Sequence, residues 1–198
     1  MEKYYLEKPS LERKLEAIEY IKEHEMANST INGSNSLNLF LKESTYEKWL
    51  EKNEETENKD YAKLVGLVPS ATYFTIRKSD NKIVGMVNIR YNLNEYLRKI
   101  AGHIGYSIRP SERGKGLAKI QLYLALKEAI KVNLNKVMIS CEQNNIASEK
   151  TILALGGILE RIEYDEPRDR YLKVHMLDVK ESLEKNKDIY EKYVKDND

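Results

Sequence analysis

The chain has 198 residues, 41% hydrophobic and 33% charged, and its 33 basic and 32 acidic side chains leave a formal net charge of +1. This composition is typical of one globular domain with a sizeable core, and the balanced charge argues against nucleic-acid binding, which calls for a basic excess. Because the chain has no apolar run of about 18 residues, no signal peptide and one cysteine, we expect a cytoplasmic protein without a membrane or nucleic-acid partner.

The first third of the chain has the pattern of helices joined by polar segments. Apolar residues recur at helical spacing over residues 10–26, and the Asn-, Ser- and Gly-rich residues 28–38 predict a loop. Ser44 with Glu47 makes a capping box, which predicts that a second helix begins there. The charged run 51–60 predicts a solvated helix end followed by a loop.

From residue 71 the hydrophobic period changes to that of strands. The runs ATYFTIR and IVGMVNIRY flank the turn SDNK and predict a hairpin. Further elements are predicted in this order: a strand at about 101–109, a helix from Gly114 to about Val132, a strand at 136–142, a helix at 145–155 and a hairpin that turns at 166–169. The order predicts an α/β (α+β) fold, a single domain over residues 1–198 with a central, mostly antiparallel mixed sheet flanked by helices.

A basic, glycine-rich turn, RGKGLA, joins the third of these strands to its helix. Glycine at a helix start costs about 1 kcal/mol relative to alanine, but it lets an anion approach the unpaired amides that begin a helix. Arg113 and Lys115 add cationic donors at the rim. The turn is neither a Walker A loop nor a GxGxxG fingerprint. The residues alone leave two interpretations open, a pyrophosphate cradle and close packing of the helix against the strand.

The same turn resembles the coenzyme A motif of the GNAT superfamily of N-acetyltransferases, Gln/Arg-x-x-Gly-x-Gly/Ala. The matching residues are Arg113, Gly116 and Ala118. The preceding strand, GHIGYSIRP, is similar to the central strand of that family. The segment NNIASEKTILALGG is similar to its later Asn-x-x-(Ser/Ala)…Leu-Gly helix, through Asn145, Ser148, Leu155 and Gly156. The resemblance covers residues 71–177. Within the family, the chain is most similar to a branch of uncharacterised predicted acetyltransferases. Residues 178–198 are left as a charged C-terminal extension that forms an extra helix or frays.

The resemblance implies a site for acetyl-CoA, the acyl donor, and no metal. Two central strands, ending at Arg109 and Glu142, would splay apart to admit it. Its pantetheine would pair with the backbone of one strand, and its pyrophosphate would lie on the glycine-rich turn. The implied cofactor-binding residues are Ser107, Ile108, Arg113, Gly114, Lys115, Gly116, Leu117, Ala118, Asn145 and Ser148.

Acetyl transfer to an amine needs a base for the amine and an acid for the departing thiolate. Many relatives have a Tyr acid in the late helix, where this chain has Ile152. The candidate catalytic residues are Glu142 and His103 as base and Tyr106 as acid, with the Tyr164 hydroxyl as a second candidate for the acid. Glu142 also fits a solvated strand end, and His103 a hydrogen-bonded strand residue. Cys141 shares a strand face with apolar residues, which favours a buried structural thiol.

The predicted function is an N-acetyltransferase that moves an acetyl group from acetyl-CoA to a primary amine of an unidentified small molecule or peptide. The resemblance places the acceptor pocket mainly at residues 26–41 and 158–172. The alternative is an acyl-CoA-binding sensor or interaction module without turnover, which the missing late-helix Tyr favours. A homodimer is left open.

Overall fold

Within residues 1–195, which the computed structural model describes, seven strands form two antiparallel sheets. The strands are β1 (Tyr4–Glu7), β2 (Ser70–Arg77), β3 (Lys82–Arg90), β4 (Ile104–Ile108), β5 (Lys136–Glu142), β6 (Ile158–Asp165) and β7 (Arg170–Asp178). The first sheet has the order β1-β2-β3-β4, and the second has the order β5-β7-β6. Both predicted hairpins, β2–β3 and β6–β7, are confirmed.

Seven helices flank these sheets in the same part of the chain. They are α1 (Lys14–Met26), α2 (Leu37–Glu43), α3 (Tyr46–Glu57), α4 (Lys59–Leu64), α5 (Leu117–Lys131), α6 (Ile146–Ala154) and α7 (Val179–Tyr190). The predicted cap of α6 is confirmed, because Asn145 Oδ1 accepts a hydrogen bond from the Ser148 amide at 3.0 Å. None of these helices is long and apolar enough to cross a bilayer.

The first sheet is covered on both faces, which is why β2 and β3 are almost continuously buried. On one face α1 and α3 pack against β2 and β3, with Trp49 stacked on Phe74 at a ring distance of 6.3 Å. On the other face α5 packs against β3 and β4 through side chains such as Leu122 and Ile104. The predicted fold of antiparallel strands flanked by helices is therefore confirmed.

The two sheets are joined beside His103 and then separate. The His103 amide donates to the Met138 carbonyl at 2.7 Å, and the Met138 amide donates to His103 Nδ1 at 2.9 Å. Gly102 permits this approach, since a Cβ there would lie 2.2 Å from the Met138 carbonyl oxygen. Beyond this junction β4 and β5 belong to different sheets, so the expected single mixed sheet is divided in two where its central strands splay.

The helices before β2 depart from the predicted boundaries. α3 is capped by Thr45, whose Oγ1 accepts from the backbone, and not by a Ser44 capping box. The charged run 51–60 is mostly helical, because α3 continues to Glu57 and Asn58 then caps α4. The predicted loop 28–38 ends earlier than expected, where α2 begins at Leu37, a fully buried side chain. Burial of apolar side chains on the sheet, which local polarity does not reveal, decides these boundaries.

The C-terminal segment packs against the core as an added helix. α7 lies on α5, where the Tyr190 and Tyr123 rings are 5.6 Å apart. Val194 then pairs with Tyr4 in a parallel bridge at the edge of the first sheet. Of the two outcomes predicted for this extension, the described part forms the helix. Residues 196–198 lie outside the described residues.

Candidate active site

A cleft of about 920 Å³ opens where β4 and β5 diverge. Its walls are the loop before α2, the glycine-rich turn before α5, the facing parts of β4 and β5, the first turn of α6, and the hairpin arginines Arg168 and Arg170. The strands that splay are those predicted to do so. The turn, the strand ends and the α6 motif, which are dispersed in the sequence, therefore meet around one cavity.

The glycine-rich turn was predicted to form the first turn of α5. It instead precedes the helix, which begins at Leu117. Gly114 and Gly116 have φ angles of 78° and 77°, a left-handed conformation that glycine adopts without strain. A Cβ at either residue would meet no heavy atom within 4 Å, so the space in front of the turn is open. Within residues 1–195, five successive amides have no acceptor, those of Gly114, Lys115, Gly116, Leu117 and Ala118. Free amides at the N-terminus of a 15-residue helix form an anion site.

The cations beside this turn differ in how they are paired. The buried carboxylate of Glu112 binds three of them, Arg77, Lys82 and Lys115. Burial alone would raise the pKa of Glu112, but hydrogen bonds from these cations lower it to about 2. Arg113 instead donates to the Ile108 carbonyl at 3.2 Å and to Ser29 Oγ at 2.5 Å. Among the described residues Arg113 has no carboxylate partner, so its charge faces the cleft uncompensated.

The free edge of β4 offers backbone groups to the cleft. The Arg109 amide donates to the Val84 carbonyl and the Arg90 amide to the His103 carbonyl, so odd-numbered residues of β4 face β3. The backbone of Ile108, and of Tyr106 before it, therefore faces away from β3. Pairing with a ligand was expected at Ser107 and Ile108, but the register offers the Tyr106 backbone and the Ile108 amide, since the Ile108 carbonyl already accepts from Arg113 Nε at 3.2 Å. The Ser107 hydroxyl instead donates to the carbonyl of Asn32 at 2.6 Å.

Glu142 ends β5 and lines the cleft. Its Oε1 forms an ion pair with Arg170, which also binds the buried Asp165. Its Oε2 has no partner among the described residues. The pair fixes the orientation of the carboxylate while leaving one oxygen able to accept a proton.

His103 lies outside the set of residues that line the cleft. Burial, together with the nearby charges of Arg90 and Arg98, lowers the pKa of His103 to about 4. The ring is therefore neutral at pH 7. Because Nδ1 already accepts from the Met138 amide, Nε2 carries the proton and has no lone pair for a base. This geometry favours the hydrogen-bonded strand residue over the base.

Tyr106 reaches across the cleft from β4 to α6. Its hydroxyl is hydrogen-bonded to Ser148 Oγ at 2.9 Å, one helical turn before the fully buried Ile152. Burial raises the pKa of the Tyr106 phenol to about 12, so it holds its proton at neutral pH. Burial also raises the pKa of the Cys141 thiol to about 11, which makes the thiolate scarce and fits the structural interpretation of this cysteine.

Several cleft residues were not singled out from the sequence, although Gly33 and Arg168 fall within the predicted acceptor segments 26–41 and 158–172. Gly33, in the loop before α2, lies against β4 so closely that a Cβ would be 2.4 Å from the Gly105 carbonyl oxygen. Arg90, Tyr96 and Arg168 line the same end of the cleft. Arg90 ends an almost continuously buried strand, and an arginine at the end of such a strand is the signal that could have identified it. Among residues 1–195 no group of three or more His, Cys, Asp or Glu side chains is placed to hold a metal.

A family model described as Acetyltransferase (GNAT) family matches residues 35–156. No curated protein sequence gives a significant match. Solved structures with the same fold include three acetyltransferases. The ribosomal-protein-S5-alanine acetyltransferase of Vibrio fischeri has a TM-score of 0.66 and 18% identity over 90% of this chain and 94% of that one.

The two other structures are similarly distant in sequence. RimJ of Mycobacterium smegmatis, solved in complex with CoA-disulfide, has a TM-score of 0.67 and 13% identity over 94% of this chain and 91% of that one. Mutant forms of the spermidine/spermine N-acetyltransferase SpeG of Vibrio cholerae have a TM-score of 0.59 and 16% identity, covering 93% of this chain and 98% of the other. At these identities the likeness establishes the shared fold.

Proposed function

This chain belongs to the acetyltransferase (GNAT) family, and from that membership we propose that it transfers the acetyl group of acetyl-CoA to a primary amine of a small molecule or peptide. That it is an acetyl-CoA-dependent acetyltransferase follows from the family. The observation that carries the proposal is the run of five free amides from Gly114 to Ala118, open to a cleft between splayed strands.

The residues of the cleft fit acetyl-CoA, which supplies the activated thioester when bound. The amides of the turn and the uncompensated Arg113 guanidinium would hold the pyrophosphate. Lys115, about half exposed and paired with Glu112, would add a second charge at the rim.

The free edge at Tyr106 and Ile108 would pair with the pantetheine, while Ser107 supports the loop above it. Asn145 and Ser148 would shape the first turn of α6 beside the reacting end.

Glu142 is the proposed base. Its free Oε2 would take the proton from the acceptor amine, directly or through one water, while Arg170 holds Oε1. His103 would support the site by fixing the point at which the sheets separate. The N–H groups on the free edge of β4 are suited to stabilise the oxyanion.

Tyr106 is the proposed acid in place of the late-helix tyrosine that Ile152 replaces. Its phenol holds its proton and contacts Ser148 twice, at Oγ at 2.9 Å and, as donor, at the carbonyl oxygen at 3.5 Å. With the Ser148 hydroxyl donating to Tyr106, the phenolic hydrogen would turn from the long carbonyl contact to the departing sulfur. With Tyr106 as the acid, turnover would not need a tyrosine in the late helix, which supports the enzyme over a binding module.

Thiol release tests the proposal. The protein is mixed with acetyl-CoA and a panel of amino acids, peptide N-termini, polyamines and aminoglycosides, and free CoA is followed with a thiol-reactive dye. We expect release that depends on one class of amine. Calorimetry with CoA is the parallel arm: CoA binding without amine-dependent release would replace the enzyme by the sensor alternative.

A further inference from the structure

Arg90 is a half-buried cation that lacks a counter-ion. It lies beside the start of β4, at the opposite end of that strand from the glycine-rich turn, where the acceptor would enter if CoA lies on that turn. Its Nη1 donates to the Gly102 carbonyl at 2.9 Å, and the residue lines the cleft. Among the described residues no carboxylate lies within ion-pair distance of it. Burial lowers the pKa of the Arg90 guanidinium, as expected for a desolvated charge without an anion beside it.

The other two arginines at this end are already neutralised. Arg168 and Arg170 both bind the buried carboxylate of Asp165. Arg170 also pairs with Glu142, so two arginines face two carboxylates. Arg168 additionally donates to the Tyr96 hydroxyl. Among the described arginines that line this end of the cleft, Arg90 is therefore the one without a carboxylate partner.

Resting on the proposed acetyl transfer, we propose that the acceptor is an amine that also bears a carboxylate, and that Arg90 binds this carboxylate. A polyamine would bring further positive charge to a site whose carboxylates already have partners. A phosphate dianion would call for a second unpaired cation. One guanidinium, with one nitrogen held by Gly102, suits the single charge of a carboxylate.

Matched acceptors and one variant test this inference. L-Methionine is compared with L-methioninamide for a free α-carboxylate, and alanyl-aspartate amide with alanyl-asparagine amide for a side-chain carboxylate in a peptide. We expect wild type to prefer the acid of one pair, which also identifies the source of the carboxylate. Arg90→Met should raise KM for that acid about 10- to 100-fold and leave its amide unchanged. Arg98→Met, an exposed arginine outside the cleft, should change neither.

A binding arm separates this inference from the proposed function. N-acetyl-L-methionine and its amide are titrated by calorimetry into the CoA complex of wild type and of Arg90→Met, each shown to be folded by circular dichroism. Binding of the acid that Arg90→Met loses supports the carboxylate site even if no amine releases thiol. Equal binding of acid and amide, an equal effect of Arg90→Met on both, or preference for spermidine overturns the site while acetyl transfer stands.

Discussion

Gly116 is where a single added side chain should most directly test the cradle. Its left-handed backbone and open front leave room for an anion, so Gly116→Glu would place a negative charge where the pyrophosphate is proposed to lie. We expect CoA affinity, measured by calorimetry, to fall by about 100-fold or more, because like charges in contact cost several kcal/mol.

Gly66 supplies the matched control for this variant. It has a φ of 72°, an added Cβ there meets nothing within 4 Å, and it lies outside the cleft. Gly66→Glu therefore carries the same backbone strain and the same charge. Unchanged CoA binding by folded Gly116→Glu, or an equal loss in both variants, would remove the cradle.

Glu142 and His103 should separate into a catalytic and a structural role. Glu142→Gln keeps the size of the side chain but removes the proton acceptor, so kcat should fall by about 10²–10⁴ while CoA affinity is retained. His103→Ala leaves the Met138 amide unsatisfied at the sheet junction and should lower the free energy of unfolding by about 1–3 kcal/mol.

His103→Asn is the conservative control, since its Oδ1 can accept from the same amide. Urea unfolding of the three variants and of wild type, alongside steady-state rates, decides between the roles. A stable His103→Ala protein that loses turnover would make His103 the base and contradict our assignment.

Tyr106→Phe tests the acid by removing one hydroxyl. We expect kcat to fall by about 10²–10⁴ with CoA affinity nearly intact. Because burial raises the pKa of Tyr106 to about 12, the acid stays protonated up to high pH, and the wild-type rate should show no alkaline decline below about pH 10.

The matching control is Tyr164→Phe, because the Tyr164 hydroxyl bonds to Asp169 within the β6–β7 hairpin and Tyr164 does not line the cleft. Its rate should equal that of wild type. A Tyr106→Phe protein of normal rate would leave protonation of the sulfur to water.

At the scale of elements, the loop before α2 forms one wall of the cleft because Gly33 fits against β4. Gly33→Ala would set a Cβ 2.4 Å from the Gly105 carbonyl oxygen and 2.7 Å from that of Met86, at a φ of 79°. The loop would have to lift from the strands. We expect loss of about 1–3 kcal/mol of stability and a raised KM for the acceptor, with little change in CoA affinity.

Gly66→Ala is the control for backbone strain, because Gly66 has a similar φ but an added Cβ there meets no other atom. The difference between the two variants in urea unfolding and in KM measures the clash alone. If Gly33→Ala behaves like Gly66→Ala, the loop does not depend on this contact.

Elements with strong local signals were predictable from the sequence. The hairpins, the Asn145 cap and the glycine turn each carry residue types that specify a conformation locally. The start of α2 and the continuation of α3 were not predictable. They depend on burial of Leu37 and, in the charged run, of Asn53, whose Oδ1 accepts from the Thr72 hydroxyl of β2 at 2.6 Å. Tertiary packing overrode the polar composition of those segments.

The candidate site divides in the same way. The turn and the α6 motif are contiguous in sequence and could be found there. The pairing of Glu142 with Arg170, the contact of Tyr106 with Ser148 and the isolation of Arg90 join residues 28 or more positions apart or depend on the absence of a partner. Such features exist only once the sheets are assembled, so no spacing rule could reveal them.

At the scale of the whole molecule, the stability of the fold should vary with pH, because its three histidines are largely withdrawn from water. Burial lowers the pKa of all three, to about 4 for His24 and His103 and in the same direction for His175. In the unfolded chain they would titrate near pH 6.5. As pH falls below that value the unfolded chain takes up protons first, so these histidines stabilise the fold above about pH 6.5 and that contribution is lost towards pH 4.

We therefore expect the free energy of urea unfolding to fall by on the order of 2–3 kcal/mol per pH unit near pH 5. Measurements between pH 7.5 and 4.5 give this slope, which counts the protons taken up on unfolding. In wild type the His24 and Tyr20 rings are 4.7 Å apart. His24→Phe keeps an aromatic ring in that place but removes the group that takes up a proton. The slope for this variant should therefore be smaller by about one proton. A flat profile in wild type, or the same slope in both proteins, would show that the histidines are protonated without cost, which is incompatible with the burial that lowers the pKa of each of them.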